Sequence, residues 1–288
     1  MPQGDSMKSK LWAIVFAMSW QLGAAHVALA ETHPSFEKVF TIVFENGNYG
    51  AAMKQPFFAK VAASGALLRN MHAVVHPSQA NYIAMISGSM NGVVGDGSQN
   101  VTAASLVDLL QARGLSWKVY AEGYPTNRCF TGSSTGRYVR KHNPFISFTN
   151  VQHDPSLCAH IVNASELDND VATGTLPTYS FYVPDLSNDG HDTGVAYADH
   201  YFSKKFGPLF SSPVFMSKML VIATFDENDG SSGNQIYTAL LGDSVTPGTI
   251  NDENLNHYNV LRTIEDTLGL GSLRLNDLTA TPISGVWR

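Results

Sequence analysis

Two uninterrupted runs of apolar residues dominate the hydrophobic pattern of the chain. They are Lys38–Phe44 (KVFTIVF) and Met219–Phe225 (MLVIATF). A strand that is apolar at successive positions, without alternation, is typical of the centre of a parallel sheet, where helices cover both faces. Weaker patterns predict further strands at Trp117–Ala121 and at residues 178–183 and 235–241.

Segments with helical spacing of apolar residues lie between these strands. They predict helices over Pro56–Ser64 and over residues 103–113, 198–206 and 258–268. Such alternation is the signature of a parallel sheet with crossover helices, so we predict an α/β fold, a three-layer sandwich around a mostly parallel central sheet. At 288 residues the chain can bury one large core. We expect residues 31–288 to form a single domain.

Acidic and amide residues close both apolar runs. Glu45 and Asn46 follow the first run, and Asp226 and Glu227 follow the second. Open α/β sheets bind ligands at the carboxyl ends of their strands, so these four residues are candidate ligands of one site. Oxygen ligands alone suit a hard divalent cation, whereas an added histidine would also admit zinc, iron or manganese.

Ser78 lies between a predicted strand, residues 67–75, and an apolar run at residues 82–86 that predicts a helix. Free N–H groups at the start of a helix attract anions. A hydroxyl placed there can attack phosphorus if a cation lowers its pKa, and the amide of Asn81 would help to hold the phosphoryl oxygens. An ordinary helix cap is the alternative role for this serine.

A third group of candidate ligands follows the strand predicted at residues 178–183. Asp185, Asp189, His191 and Asp192 lie within eight residues of one another and combine oxygen with imidazole ligands. A solvated acidic loop is the alternative interpretation of this segment.

The alternation of strands and helices breaks at residues 122–158. We expect an inserted loop region, extending to residue 170, over the carboxyl edge of the sheet. Cys129 and Cys158 are the two cysteines of the chain, and in an oxidising compartment such a pair within one loop-rich region predicts a disulfide. His142, beside Lys141, could contact an anion, or it could have no role.

Residues 1–30 predict a signal peptide. A short basic start precedes an apolar run at residues 11–22, and Ala28-Leu29-Ala30 has the form that signal peptidase requires. We therefore expect a secreted or periplasmic protein without a membrane span. The net charge is −6 and no block of lysine or arginine is present, which argues against a nucleic-acid partner. The oligomeric state stays open.

Four motifs resemble those of a known family. They are Phe44-Glu45-Asn46-x-x-Tyr49, His76-Pro77-Ser78-x-x-Asn81-Tyr82, Phe225-Asp226-Glu227-x-x-Gly230 and His257-Tyr258-x-x-Leu261-Arg262-Thr263-x-Glu265-Asp266. In their order and their placement at strand ends they resemble the bacterial phosphoesterase family. That family includes acid phosphatases and phospholipases C and belongs to the alkaline phosphatase superfamily. The resemblance covers nearly all of the chain after residue 30.

The resemblance implies a metal-dependent hydrolase that acts on phosphate esters in two steps. Ser78 matches the nucleophile that becomes phosphorylated, and Asn81 matches an amide that orients the phosphate. The identity and number of the divalent metal ions stay open. The residues that match metal ligands are Glu45, Asn46, Asp226 and Glu227.

The resemblance also extends to histidines. Asp185 and His191 are similar to an Asp…Gly-His element of the superfamily, but two extra residues separate them here. Asp189 is therefore the alternative to Asp185 as a metal ligand. His257 matches a histidine near the phosphate, and either His257 or His191 is expected to protonate the leaving group.

Three other functions stay open. A phospholipase C-type phosphodiesterase of the same family would differ in the loops over the site. A secreted serine esterase would use Gly132-Ser133-Ser134-Thr135-Gly136 as its nucleophile elbow, although no strand is predicted before this segment. A non-catalytic secreted protein that binds a metal or a carbohydrate would use its acidic residues structurally.

Overall fold

The computed structural model describes residues 36–126 and 128–288, and the predicted signal peptide lies outside them. The strands in these ranges are β1 Lys38–Phe44, β2 Ala66–Leu68, β3 Met71–His72, β4 Trp117–Ala121, β5 Ser134–Thr135, β6 Tyr138–Val139, β7 Ile161–Asn163, β8 Tyr179–Val183, β9 Met219–Phe225, β10 Thr238–Leu241, β11 Thr249–Asn251 and β12 Leu255–Asn256. The α-helices are α1 Tyr49–Ala52, α2 Pro56–Ser64, α3 Ser78–Ser87, α4 Leu106–Ala112, α5 Thr149–His153, α6 Pro155–Cys158, α7 Glu166–Thr173, α8 Val195–Phe210, α9 Pro213–Met216, α10 His257–Thr267 and α11 Asn276–Thr279. Short 3-10 helices cover Arg140–His142, Phe145–Ser147 and Ser232–Asn234. None of the helices described is both long and apolar enough to cross a bilayer.

The central sheet has the strand order β11–β2–β10–β9–β1–β8–β4–β7. Its strands point the same way except for β10, which is antiparallel to its neighbours β9 and β2. Two small sheets, β12–β3 and β5–β6, lie apart from it. The structure thus confirms the predicted α/β fold with a mostly parallel central sheet.

The two apolar runs, β1 and β9, are neighbours near the middle of this sheet. Every residue of β9 is buried, and so is every residue of β1 except Lys38. Phe44 pairs with Phe225 at the ends of the two parallel strands. Because both strands end at the same level, the residues that follow them, Glu45 and Asp226, are brought together.

Different segments cover the two faces of the sheet. Tyr182 of β8 packs against Phe206 of α8, with ring centres 4.9 Å apart. The preceding residue, Phe181, packs instead against Phe145, at 5.3 Å. Since successive side chains of a strand point to opposite faces, α8 covers one face and the segment around Phe145 covers the other. This arrangement gives the predicted three layers.

The segment before Ser78 differs from its prediction. The single strand predicted at residues 67–75 was wrong: β2 ends at Leu68, and β3 leaves the central sheet to pair with β12. The side chain of Asn81 accepts the backbone N–H groups of Val74 and Val75, which a longer strand would have used for pairing. Helix α3 begins at Ser78 itself, one turn earlier than the apolar run indicates.

The region of residues 122–170 is more regular than an inserted loop. It holds the hairpin β5–β6, two 3-10 helices, the short helices α5 and α6, the start of α7, and β7, which pairs with β4 at the edge of the central sheet. The predicted disulfide between Cys129 and Cys158 is present. The region also buries His142 and Phe145, so it contributes both to the core and to the carboxyl edge of the sheet.

Candidate active site

Three carboxylates meet at the carboxyl ends of β1 and β9. Oxygens of Glu45, Asp226 and Glu227 lie within 4.8 Å of one another, and all three residues are buried. The three acids converge because β1 and β9 are parallel neighbours that end at the same level, and the acids follow directly after them. We call these three residues the strand-end cluster.

Ser78, the first residue of α3, lies against this cluster. Its hydroxyl donates a hydrogen bond to Oε1 of Glu45, and its Oγ also lies 3.2 Å from Oε1 of Glu227. The residue is buried, with 2% of its surface exposed. The structure therefore brings one hydroxyl into contact with carboxylates from both central strands.

Two side-chain amides, those of Asn46 and Asn81, donate hydrogen bonds to the carboxylate of Glu227. Asn46 Nδ2 donates to Oε1 of Glu227 at 3.1 Å, from a backbone with φ of 40°, a left-handed conformation that asparagine adopts more readily than most residues. Asn81 Nδ2 donates to Oε2 of Glu227 at 3.3 Å and to the carbonyl of Val75 at 2.7 Å. Asn81 thus connects the loop before Ser78 to the strand-end cluster.

His142 lies between Glu45 and Asp189, and all three are buried. Its Nε2 is 3.1 Å from Oε2 of Glu45 and its Nδ1 is 3.2 Å from Oδ2 of Asp189. These contacts have the distance of ion pairs but not the angles of hydrogen bonds. Burial lowers the pKa of His142, but the two carboxylates outweigh burial and raise it to about 9. Burial likewise opposes ionisation of Glu45, yet His142 and Ser78 lower its pKa to about 2.

Two further histidines contact the cluster from other directions. Nδ1 of His76 is 2.9 Å from Oε2 of Glu227, and 43% of the His76 side chain is exposed, so this side of the cluster reaches solvent. His257 is buried, and burial lowers its pKa to about 4. As a neutral imidazole it donates from Nε2 to the backbone carbonyl of Asp226, at 2.6 Å.

The predicted acidic loop after β8 divides its residues between two places. Oδ1 of Asp185 accepts the backbone N–H groups of Ser187 and Asn188, so this carboxylate closes a turn of its own loop. Asp189 instead reaches His142. His191 is exposed, its Nδ1 lies 2.8 Å from Asp192, and its ring centre is 6.0 Å from that of His142.

The sequence alone assigns no definite role to two residues of this site. It leaves open whether His142 contacts an anion or has no role, and it includes His76 only as part of a motif. The sequence does contain a signal for His142, since only Pro144 separates the polar stretch Lys141-His142-Asn143 from the apolar pair Phe145-Ile146. His76 immediately precedes Pro77-Ser78, at the entrance to the helix that carries the candidate nucleophile.

The strand-end cluster and Asn46 have more buried acceptor oxygens than there are hydrogen-bond donors around them in the described part of the chain. Oε2 of Glu45, Oδ1 of Asn46 and Oδ2 of Asp226 are buried and accept no hydrogen bond from residues 36–126 or 128–288, although His142 forms an ion pair with the first of them. Burial, followed by the charges of Glu45 and Glu227, raises the pKa of Asp226 well above its usual range. Buried oxygen ligands that lack donors and repel one another fit a hard divalent cation.

The alternative nucleophile lies elsewhere. Ser134 belongs to the hairpin β5–β6, and its side chain is exposed. A nucleophile elbow needs a strand before the serine and a helix after it, and neither flanks this hairpin position.

Comparison with known proteins agrees with this geometry. The Phosphoesterase family profile matches residues 46–271. The "Phosphatidylinositol-3-phosphatase" of Mycobacterium tuberculosis is 34% identical over 276 residues, which is 93% of this chain and 89% of that protein. The "Probable acid phosphatase" of Kluyveromyces lactis is 34% identical over 255 residues, 84% of this chain. The chain spans only 61% of the length of this fungal relative.

The fold has relatives among solved structures as well. A protein in the alkaline phosphatase superfamily from Vibrio parahaemolyticus superposes with a TM-score of 0.62 at 12% sequence identity, covering 88% of this chain and 72% of that one. This likeness shows the fold. The match of the family profile over most of the chain shows the family, and the chain belongs to the Phosphoesterase family.

Proposed function

We propose that this chain is a metal-dependent hydrolase of phosphate esters that acts through a phosphoserine at Ser78. The observation that carries the proposal is the contact of one hydroxyl, at the start of α3, with Glu45 and Glu227 from two different strands. The names of the relatives, an acid phosphatase and a phosphatidylinositol-3-phosphatase, support the same class of reaction.

The strand-end cluster, together with Asn46, would hold the divalent cation. Bound there, a cation would favour the alkoxide of a neighbouring serine and balance negative charge on a phosphoryl group. The proton of Ser78 passes to a carboxylate that already contacts it. Its Oγ attacks phosphorus, the ester P–O bond breaks, and the alcohol leaves with a proton. Water then hydrolyses the phosphoserine and releases inorganic phosphate.

The histidines take different parts in this proposal. His257 is a positioning residue, because its Nε2–H already holds the backbone of Asp226. His191 is the proposed proton donor to the leaving alcohol, since it is exposed near His142. Asp189 is proposed to hold His142, and Asp185 to shape the loop that carries both.

The decisive experiment compares Ser78→Ala with the wild type. We expect Ser78→Ala to lose hydrolysis of p-nitrophenyl phosphate by about 10⁴-fold or more, as removal of a nucleophile does. Ser165→Ala is the matched control, because Ser165 is exposed and its side chain caps no helix. Acid quenching with labelled substrate should trap a phosphoprotein in the wild type only. Activity retained in Ser78→Ala would refute the nucleophile.

The same assays separate the other functions. A serine esterase would hydrolyse p-nitrophenyl acetate, and a phospholipase C-type enzyme would prefer the diester bis-p-nitrophenyl phosphate. A non-catalytic metal-binding protein would lose thermal stability with EDTA but would have no turnover to lose. If EDTA leaves phosphatase activity intact, the metal dependence is refuted.

A lipid-linked phosphate monoester is the second candidate substrate. The Mycobacterium tuberculosis phosphatidylinositol-3-phosphatase matches this chain over nearly the full length of both proteins, which the fungal acid phosphatase does not. Release of phosphate from phosphatidylinositol 3-phosphate in mixed micelles, compared with p-nitrophenyl phosphate, tests this candidate. The disulfide between Cys129 and Cys158 supports export to an oxidising compartment.

A further inference from the structure

A cavity of about 230 Å³ lies outside the strand-end cluster. Two segments without a role in the proposed reaction form most of it: the loop around Gly97 and the hairpin β5–β6. Its polar lining residues are Asp96, Ser98, Ser133, Ser134, Arg140 and Lys141. We call it the Lys141 cavity.

The Lys141 cavity adjoins the candidate active site through two contacts. One oxygen of Asp96 lies 2.9 Å from Nζ of Lys141, and the other accepts the backbone N–H of Gln79, the residue after Ser78, at 3.1 Å. Lys141 also directly precedes His142, which contacts Glu45. A ligand in this cavity would therefore lie beside the reacting phosphate, with the carboxylate of Asp96 between them.

Arg140 gives the cavity a charge that its surroundings do not balance. The residue is 4% exposed, and its guanidinium donates to neutral oxygens of Thr131, Gln99 and Asn100. In the described ranges no carboxylate forms an ion pair with Arg140, and its Nε has no hydrogen-bond partner. Asp96 offsets only Lys141. A buried cation without a counter-ion favours an anion next to it.

We propose that the Lys141 cavity binds a second anionic group carried by the leaving alcohol of the substrate. The inference rests on the proposed function and narrows its substrate class to polyol phosphates with a second phosphate group. One phosphate is hydrolysed at Ser78, while the other contacts Lys141, Arg140 and the serine hydroxyls. The position of Asp96 supports this division, because it separates the cation at Lys141 from the start of α3.

The kinetic test uses two substrates that differ only in the second anion, fructose 6-phosphate and fructose 1,6-bisphosphate. We expect wild type to prefer the bisphosphate in kcat/KM by about 10- to 100-fold, the worth of one or two charge-assisted hydrogen bonds. Lys141→Met should lower this preference by about tenfold or more, mainly through KM of the bisphosphate. Lys141→Arg should restore most of it. Lys205→Met is the matched control, a similarly half-buried lysine paired with Asp168.

A binding test keeps the inference separate from the proposed reaction. In metal-loaded Ser78→Ala, calorimetry should show tighter binding of the bisphosphate than of the monophosphate, and the double variant with Lys141→Met should lose the difference. If wild type hydrolyses neither sugar phosphate nor p-nitrophenyl phosphate, the proposed function fails, and the binding preference alone decides the inference. Equal losses on both sugar phosphates in Lys141→Met, or no binding preference, would overturn it.

Discussion

Carboxyl groups without hydrogen-bond donors are buried in two regions of the described chain. One is the strand-end cluster, at the carboxyl ends of β1 and β9, with Asp189 beside it on the far side of His142. The other is Glu265 of α10, whose two oxygens are buried without a donor, next to Asp277 of α11. Asp277 itself is satisfied, because it accepts the backbone N–H groups of Leu273 and Leu275 at 2.7 and 2.8 Å. Both regions contain acids of the motifs that suggested the family.

The two regions differ in how their charge is neutralised. Burial, and then the charge of Asp277, raises the pKa of Glu265 to about 8, so one proton removes the conflict at neutral pH. In the strand-end cluster the pKa of Glu45 is lowered to about 2, so charge persists there. That cluster also has a hydroxyl at Ser78 and a path to solvent past His76. Buried acids occur in both regions, but only the strand-end cluster keeps its charge beside a candidate nucleophile.

Among the variants that compare these two regions, the largest expected effect comes from removing one carboxylate of the strand-end cluster. We expect Asp226→Asn to lose phosphatase activity by about 10³-fold or more, because several kcal/mol of cation-mediated charge stabilisation would go. In EDTA, the same variant should melt at or above the temperature of the wild type, because the amide does not need the proton uptake that the raised pKa of Asp226 imposes on folding at neutral pH. Steady-state kinetics and thermal unfolding measure the two effects.

Opposite signs on activity and stability are the informative result. A variant that loses both together would show that Asp226 mainly holds the fold. Glu265→Gln is the matched comparison, because it also replaces a buried carboxyl with an amide, and it should keep its activity within about threefold.

The next effect is thermal stabilisation by a divalent cation. A ligand that binds only the native state at 100 times its Kd stabilises it by about 2.7 kcal/mol, which is about 5–10 °C for a domain of this size. We expect this shift in the wild type and in Glu265→Gln, and its loss in Asp226→Asn. Differential scanning fluorimetry with and without Mg²⁺, Mn²⁺, Ca²⁺ or Zn²⁺ measures it. A shift that survives Asp226→Asn would place the cation elsewhere.

The fold and the site were not equally accessible from the sequence. The bounds of β1 and β9 followed directly from the hydrophobic pattern, because a strand buried on both faces is apolar at nearly every position and the polar residues after it mark its end. The convergence of Glu45 and Asp226 followed from the rule that parallel strands end on one edge. Their roles as ligands stay a prediction, as does that of Ser78 as the nucleophile.

Contacts made by residues outside the predicted strands could not be predicted in this way. The place of His142 depends on the path of residues 122–158, which no local pattern fixes, and so it could not be told from a bystander. The sequence does not distinguish Asp185 from Asp189 as a ligand. In the structure the carboxylate of Asp185 accepts hydrogen bonds from backbone N–H groups of its own turn. An aspartate followed two residues later by serine and then asparagine is a known turn signal, and it could have favoured Asp189.

The smallest effect is one of pH, and it concerns Glu265. Its pKa is about 8 in the native state and 4.5 as the ordinary value. Between these values the native state keeps a proton that the unfolded chain has released. The free energy of unfolding therefore falls as the pH rises from about 4.5 to about 8. The charged groups around this carboxyl are Asp277 from α11 and, on its own helix, Arg262 and Asp266, which pair with each other.

Glu265→Gln should remove this dependence, because the amide has the same shape and no proton to lose. At pH 5 we expect the variant and the wild type to melt alike. At pH 8 the variant should melt about 3–10 °C higher, because each kcal/mol in the free energy of unfolding shifts the melting temperature of a domain of this size by about 2–4 °C. Thermal unfolding in EDTA at both pH values, taken as the difference between the two proteins, cancels the titration of all other groups. The contrary result is that Glu265→Gln loses turnover as Asp226→Asn does, with the same difference in melting temperature at both pH values. The carboxyl of α10 would then take part in catalysis, and retained charge beside Ser78 would not be what separates the two regions.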